Sequence, residues 1–410
     1  MNNKNKKIWD KPWGITESGV IVTAFVISGF MIDFFSDGNT VVKVSYPLNI
    51  IILCSFLFIL TIIYFILKKS YIVKWLQGVS LSVVSVAWLL ILVLLAGIFN
   101  QEISSKKNLI TNLNINNIFQ SSAFIILQII LLINLWFAIL KRLITISLQD
   151  AGFVLNHLGI LIIIISLSLG GGDIIKHTLK VSKTNYTWKV TEKESGKELP
   201  FAFKLLNFKL DNFPAKIGII DNATDEVLTG NDKILQTDTD TVIRFEKNKI
   251  KLLKYYKNAV KFGEKFHPVN EQGSCPAAYV EIEDKNGNKR EAWISCGSYL
   301  YPSVFFPVDS FYTLALLEPE PKKYESEIAV YFKDGSVNEY KIQVNNPANI
   351  EGWDIYLTDY DQKTGEWSDY VIIEMVKDPW LKAVYLGIIF MAAGAVTLIF
   401  TGKKYDNSLA

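Results

Sequence analysis

The side chains in this sequence that could bind a metal or do covalent chemistry are few, three histidines and three cysteines among 410 residues. His157 is the most informative of them. It lies in Phe153-Val154-Leu155-Asn156-His157-Leu158-Gly159, about one and a half helical turns inside a long apolar stretch. Ionisable groups at membrane depth are costly unless partnered, so they face a bundle interior, a pathway or a bound cofactor. A neutral imidazole there could donate an axial bond to haem iron, bind another metal, or hydrogen-bond a neighbouring helix; residue physics alone leaves all three open. Gly159 beside it is expected to leave room for a flat macrocycle.

The other candidates are weaker. His177, just after Asp173, reads as a hydrated interfacial histidine, and His267, before Pro268, as an ordinary loop residue. Cys275 and Cys296 flank a hairpin centred on Asn286-Gly287. A two-residue turn would pair Lys285 with Asn288 and set Cys275 opposite residue 298, so a possible Cys275–Cys296 disulfide needs a slip or bulge, and two free buried thiols are the other reading. Cys54, in an apolar run, reads as a small packing residue. The sequence has no C-x-x-C, no C-x-x-C-H, no H-E-x-x-H and no Gly-rich phosphate loop, so a self-contained enzyme is hard to argue.

These residues sit in a chain that is half apolar yet carries a net charge of only +2, which points to neither nucleic acid nor an acidic substrate. The placement of the charges is more telling. Lys43 and Lys68, Lys74 and Glu102, Lys107 and Lys141, Asp150 and Asp173, and Lys382 and Lys403 each bracket a charge-free run. A helix rising ~1.5 Å per residue needs ~20 apolar residues to cross the hydrocarbon layer, and each run can hold one. A further candidate runs from Ile15 to Phe35, with Glu17 and Asp33 near its ends, placed to reach the headgroups. The expectation is an α-helical polytopic membrane protein of about six transmembrane helices, with spans near residues 15–35, 46–67, 75–98, 121–140, 152–171 and 380–402. The N-terminus lacks a small-residue cleavage site and is not read as a removed signal peptide.

Lys and Arg collect on one side of these spans, at Lys4, Lys6, Lys7, Lys11, Lys68, Lys69, Lys74, Lys141, Arg142, Lys403 and Lys404, whereas the other short loops hold only Lys43, Lys106 and Lys107. By the positive-inside rule both termini are cytoplasmic, and residues 173–377 form a large extracytoplasmic domain between membrane segments 1–172 and 378–410. That domain reads as antiparallel β. Apolar and polar residues alternate in Glu327–Phe332 and Val337–Val344 around Lys333-Asp334-Gly335-Ser336, in Ala277–Glu283 and Glu291–Cys296 around Asn286-Gly287, and in Trp353–Asp359 and Ser368–Val376 around Gly365. Asp378-Pro379-Trp380 suits a capped start to the last helix. Trp380 reads as part of the interfacial aromatic belt.

Several stretches together resemble the ResB-like family of the System II (Ccs) cytochrome c biogenesis machinery. They are Asn156-His157-Leu158-Gly159, Ala277-Ala278-Tyr279-Val280 leading to Trp293-Ile294-Ser295-Cys296-Gly297, Val344-Asn345-Asn346-Pro347 followed by Gly352-Trp353-Asp354-Ile355-Tyr356, and Lys377 to Gly387 at the last helix. The resemblance implies one subunit of a haem exporter and holocytochrome c synthase in the inner (cytoplasmic) membrane, non-catalytic or co-catalytic. It implies haem b as transported cofactor, His157 as its axial ligand, and no other metal. It also implies two partners: a CcsA or ResC-type haem-handling protein with a tryptophan-rich segment absent from this chain, and the apocytochrome c. Many relatives carry four spans rather than six. A transporter or channel subunit, or a structural or sensory membrane protein with a β interaction domain, are the competing expectations.

Overall fold

The apolar windows are helices. The computed structural model describes residues 9–36, 44–101, 108–145, 150–190, 198–230, 233–238 and 242–401. Its helices are α1 (Ile15–Phe35), α2 (Leu48–Leu67), α3 (Tyr71–Leu76), α4 (Val79–Ile98), α5 (Leu109–Asn112), α6 (Ser122–Thr145), α7 (Ala151–Leu169) and α8 (Leu381–Thr401). Six of them are long and apolar enough to cross a membrane, joined to a large domain of antiparallel sheets, so the expected fold class is the one found. The orientation reading rests in part on residues 1–8, Lys43, Lys106, Lys107 and 402–410, which lie outside the described residues.

The chain divides into two units, residues 1–174 with 378–410, and residues 175–377. In the helical unit, the span expected at 75–98 is interrupted. α3 ends at Leu76 and α4 begins at Val79, because Asn134 of α6 takes up the freed carbonyls: its amide donates to Leu76 O at 2.6 Å and Gly78 O at 3.3 Å. Its Oδ1 accepts from Ser82 Oγ at 2.6 Å, so all of that buried amide is used.

The two acidic residues of α1 do not reach headgroups as expected. Glu17 is 5 % exposed and Asp33 fully buried. Glu17 caps its own helix by accepting from Gly14 N at 2.7 Å. Asp33 caps α6, accepting from Ser122 N and Ser122 Oγ, both at 2.8 Å. A carboxylate on the free amides at a helix N-terminus meets the positive end of the dipole, which is why it tolerates burial there.

The strand unit holds four antiparallel sheets among the described residues. Sheets built on Ile175–Ser182, Trp353–Tyr360 and Tyr370–Lys377, and on Glu198–Asn212, Pro321–Phe332 and Val337–Gln343, enclose one core that includes Leu179, Phe203, Leu205, Val330, Ile355 and Ile373. A second core, around Ile217, Ile219, Ile250, Val280, Ile294 and Leu314, lies between the other two sheets. The alternation along each strand is the period of two that puts every second side chain into a core.

The hairpin register differs from the one expected. Asp284 N donates to Asn288 O at 3.0 Å and Ala277 stands opposite Ser295, so the turn is the three residues Lys285-Asn286-Gly287, with Gly287 at φ +80°. Asp284 drives this choice: its carboxylate accepts from Asn286 N, Asn288 N and Asn288 Nδ2 at 2.7–2.9 Å, and glycine alone enters the left-handed region at no cost. Continued along the strands, that register carries Cys275 toward Gly297, one residue short of the expected position 298.

Candidate functional site

α7 presents three different faces, and each follows from its residue types. Toward α6 it packs Val154, Leu158, Leu161 and Ile165 against Leu135, Trp136 and Ile139. Toward α8 it is made of glycine. A Cβ on Gly159 would meet Gly387 O and Met391 N at 2.5 Å, one on Gly152 would meet Leu398 N at 3.0 Å, and Asn156 Nδ2 donates to Met391 O at 3.2 Å. Small residues let two helix backbones approach this closely. The room beside Gly159 is therefore filled by α8 and not open to a macrocycle, which corrects the expectation above.

His157 lies on the third face. At about 100° per residue it sits roughly 160° around the helix from Gly159. It is half-buried, and its ring stacks on Phe153 with centroids 3.7 Å apart and planes at 23°. Its Nδ1 lies 2.9 Å from Phe153 O. A carbonyl only accepts, so in the neutral imidazole Nδ1 carries the proton and Nε2 keeps its lone pair. A ring nitrogen bonded to a backbone carbonyl is the usual support for a metal-ligating histidine, because it fixes the ring and its tautomer.

The support runs one step further. The guanidinium of Arg142, at the end of α6, lies 5.2 Å from the centroid of the Phe153 ring and bonds Asp150 at 2.8 Å. Asp150, Arg142, Phe153 and His157 thus form one stacked series at the start of α7. The sequence contained its members but gave no sign that Arg142 reaches back across the 146–149 segment.

At the other end of the helix, Asp173 accepts from Tyr46 N at 2.6 Å, Asn49 Nδ2 at 2.7 Å and Trp380 Nε1 at 2.6 Å. Burial opposes its charge, but these three donors outweigh it and hold the carboxyl below the usual Asp range. Trp380, whose ring also lies against Gly170, is a bonded junction residue and not just part of an aromatic belt.

His177 and His267 belong to the strand unit. His177 is not hydrated but buried at 6 % exposure, facing Met375 across the strands with its ring 5.7 Å from that of Trp353. His267 is an exposed strand residue rather than a loop residue, edge-on to Phe262. Cys54 faces outward from α2 instead of packing inside.

Cys275 and Cys296 are free thiols, with no bridge between them. Cys275 is buried, its Sγ 3.1 Å from Ser295 Oγ. Burial pushes the Cys275 thiol up, and burial, then Cys275 and Glu318, pushes Cys296 up to about 12. Both therefore stay protonated at neutral pH, which suits neither a nucleophile nor a thiolate ligand.

Residues 301–369 match the ResB-like family. This segment contains the Val344–Tyr356 stretches of the resemblance and lies within the strand unit. No curated protein matches the chain. Among solved structures it is similar to one titled cytochrome c heme lyase CcmF, at 9 % identity and a TM-score of 0.21, over 76 % of this chain and 34 % of that one. A likeness that low carries no argument, and the aligned part is about a third of that protein.

Proposed function

We propose that this multi-helix chain, ResB-like over residues 301–369, is a membrane subunit acting in cytochrome c biogenesis, and that it helps carry haem b across the membrane for thioether attachment to apocytochrome c. The observation that carries the reading is the state of His157: Nδ1 held by Phe153 O, Nε2 keeping its lone pair, on a face of α7 away from the glycine seam. Haem, when bound, would supply an iron that takes up a nitrogen lone pair. The chain's own part is to hold the imidazole still. The carbonyl of Phe153 fixes the tautomer, its ring fixes the plane, and Arg142, tied to Asp150, pins that ring.

The donor set also argues for a partner. The other two histidines, His177 and His267, are in the strand unit, and the helical unit's sequence contains no second imidazole. A second nitrogen ligand would then come from another chain, in our reading a CcsA or ResC-type haem handler in the same inner membrane. The acidic residues that a proton-relay transporter would use, Glu17 and Asp33, are occupied as helix caps, so that reading gains no support.

The test is optical. Purified with its partner, the wild-type complex is expected to show a Soret band that His157→Ala reduces severalfold while maturation of c-type cytochromes stops, with partial recovery in added imidazole. Equal haem content and equal maturation in the variant would defeat the assignment.

A further inference from the structure

At the turn between α2 and α4, the helical unit gathers aromatic rings from two separate stretches of sequence. Trp13, just before α1, stands edge-on to three others, with centroids 5.8 Å from Trp9, 5.1 Å from Tyr71 and 5.4 Å from Trp75. Its backbone N–H donates to the Tyr71 hydroxyl, and Trp75 Nε1 donates to Ser18 Oγ at 2.9 Å. Tyr71 and Trp75 are four residues apart on α3, so their rings lie on one side of it and meet the same segment. Lys11 Nζ lies 4.9 Å from the centre of the Tyr71 ring. Residues 9–13 are thus fixed against α3, and they bring a lysine with them.

More lysines stand around these rings. Lys68 and Lys69 directly follow α2, and Lys74 lies three residues beyond Tyr71 on α3, a neighbour on the helix surface. Lys11, Lys68, Lys69 and Lys74 are all exposed, and none forms an ion pair with a described residue. The acids of the same stretches are Asp10 and Glu17, and Glu17 is buried on Gly14 N. Four exposed lysines therefore stand against one exposed acid, Asp10. Like charges held this close repel, so the arrangement gains from an anion.

We propose that this corner of the helical unit binds one anionic phospholipid, its phosphate held by the lysines and one acyl chain lying along α1. The cluster sits at the ends of apolar helices long enough to span a membrane, α1 and α2, where headgroups meet hydrocarbon. Trp and Tyr favour that boundary because each has an apolar body and a polar edge. From the same end, the outward face of α1 carries a shallow groove of about 520 Å³ that runs from Ile15 to Ile27 and is lined by the small residues Gly19, Thr23 and Ala24. A Cβ on Gly19 would meet nothing within 4 Å, so the groove is open there. Twelve steps of ~1.5 Å make it ~18 Å long, against ~15 Å for half of a ~30 Å hydrocarbon layer, which is the depth of one leaflet. The groove begins two residues after Trp13, so lysines, rings and groove follow one another as phosphate, glycerol and acyl chain do in a lipid.

An ordinary aromatic belt requires none of this, since its rings reach the boundary singly. Nothing in the site involves α7, so the proposal is independent of the reading of His157.

The experiment uses the full chain in detergent micelles supplied with equal amounts of phosphatidylglycerol and phosphatidylethanolamine, with bound lipid read by native mass spectrometry. Wild type is expected to keep one phosphatidylglycerol per chain in preference to the zwitterionic lipid. Lys11→Gln, Lys68→Gln, Lys69→Gln and Lys74→Gln should each lower that preference by up to about fivefold, and together abolish it, whereas Lys11→Arg and Lys74→Arg should keep it. Gly19→Phe fills the groove and should release the lipid with every lysine in place. Lys249→Gln with Lys251→Gln, in the strand unit, is the control for net charge and should change nothing. Tm in lipid-free micelles shows that each variant folds; if the fourfold variant does not, the single variants and Gly19→Phe carry the test. The proposal is overturned by equal retention of the two lipids, by a preference that survives the lysine variants and Gly19→Phe, or by an equal loss in the strand-unit control.

Discussion

The two faces of α7 that do not meet α6 contrast in how completely they are used. Toward α8, Gly152 and Gly159 leave no space, and even the amide of Asn156 is bonded to the facing backbone. On the other face His157 uses one ring nitrogen and leaves the second to whatever approaches. On our reading of His157, α7 separates packing from binding by angle, with its smallest residues at the seam and its one ionisable aromatic on the other face. At the outer end of the same helix Asp173 is used completely too, its carboxylate saturated by three donors.

The contrast breaks most visibly at the seam. Gly159→Leu would drive a side chain into the backbone of α8, and overpacking of this kind costs about 3 kcal/mol or more when backbone is the obstacle. A large loss of Tm, or failure to recover folded protein, is expected in thermal melts. Gly97→Ala is the control: a Cβ there meets nothing within 4 Å, and Tm should hold or rise slightly. If both substitutions behaved alike, close packing would not distinguish the two sites.

Asp173→Asn comes next, at roughly 1–2 kcal/mol for weakened charge-assisted bonds at a half-buried site. The pH dependence gives the sign. A carboxyl held below its unfolded value contributes stability above that value, about 3.9, and loses it as pH falls through the lowered folded value. The variant should therefore melt lower than wild type at neutral pH and converge with it in acid. Curves parallel at every pH would remove the carboxylate from its role.

His157→Ala should cost less still, under about 1 kcal/mol, since it loses one stack on its own helix and no interhelical bond. A melt close to wild type beside a lost Soret band would separate binding from packing on α7. A large Tm loss would make His157 a packing residue after all.

The smallest effect concerns the thiols. With Cys296 pushed up to about 12, alkylation of the folded protein should be very slow at neutral pH and rise about tenfold per pH unit. The raised value contributes stability below the unfolded thiol pKa, lost as pH climbs toward the folded one. Mass spectrometry of trapped protein reads both. Rapid labelling at neutral pH would show that the thiol is accessible and ionised.

Much of this was legible in residue patterns. Charge-free runs bracketed by charged residues mark five of the six long helices, all but α1, and alternation around Gly335 and Gly287 marks the hairpins. Where the reading failed, a polar side chain had a backbone partner that its residue type does not announce, a few residues away for Glu17 and Asp284 and on another helix for Asp33. Glu17 and Asp33 look like residues bound for water until the amides they cap are seen. Asp284, just before Asn286-Gly287, was the available signal for a three-residue turn, since an Asp there can accept from the amides beyond it. Gly152 and Gly159, and likewise Gly387 and Gly394, share a spacing of seven that could have indicated a seam.

The glycine seam also sets an order of events during synthesis. α7 is complete at Leu169, but α8 does not begin until Leu381, more than two hundred residues later. At translation speeds of about 5–20 residues per second, the bare side of α7 waits roughly ten to forty seconds for its mate. For that interval the nascent helix is an unfinished surface, and a ribosome that stops short of residue 381 releases a chain that cells can recognise as incomplete.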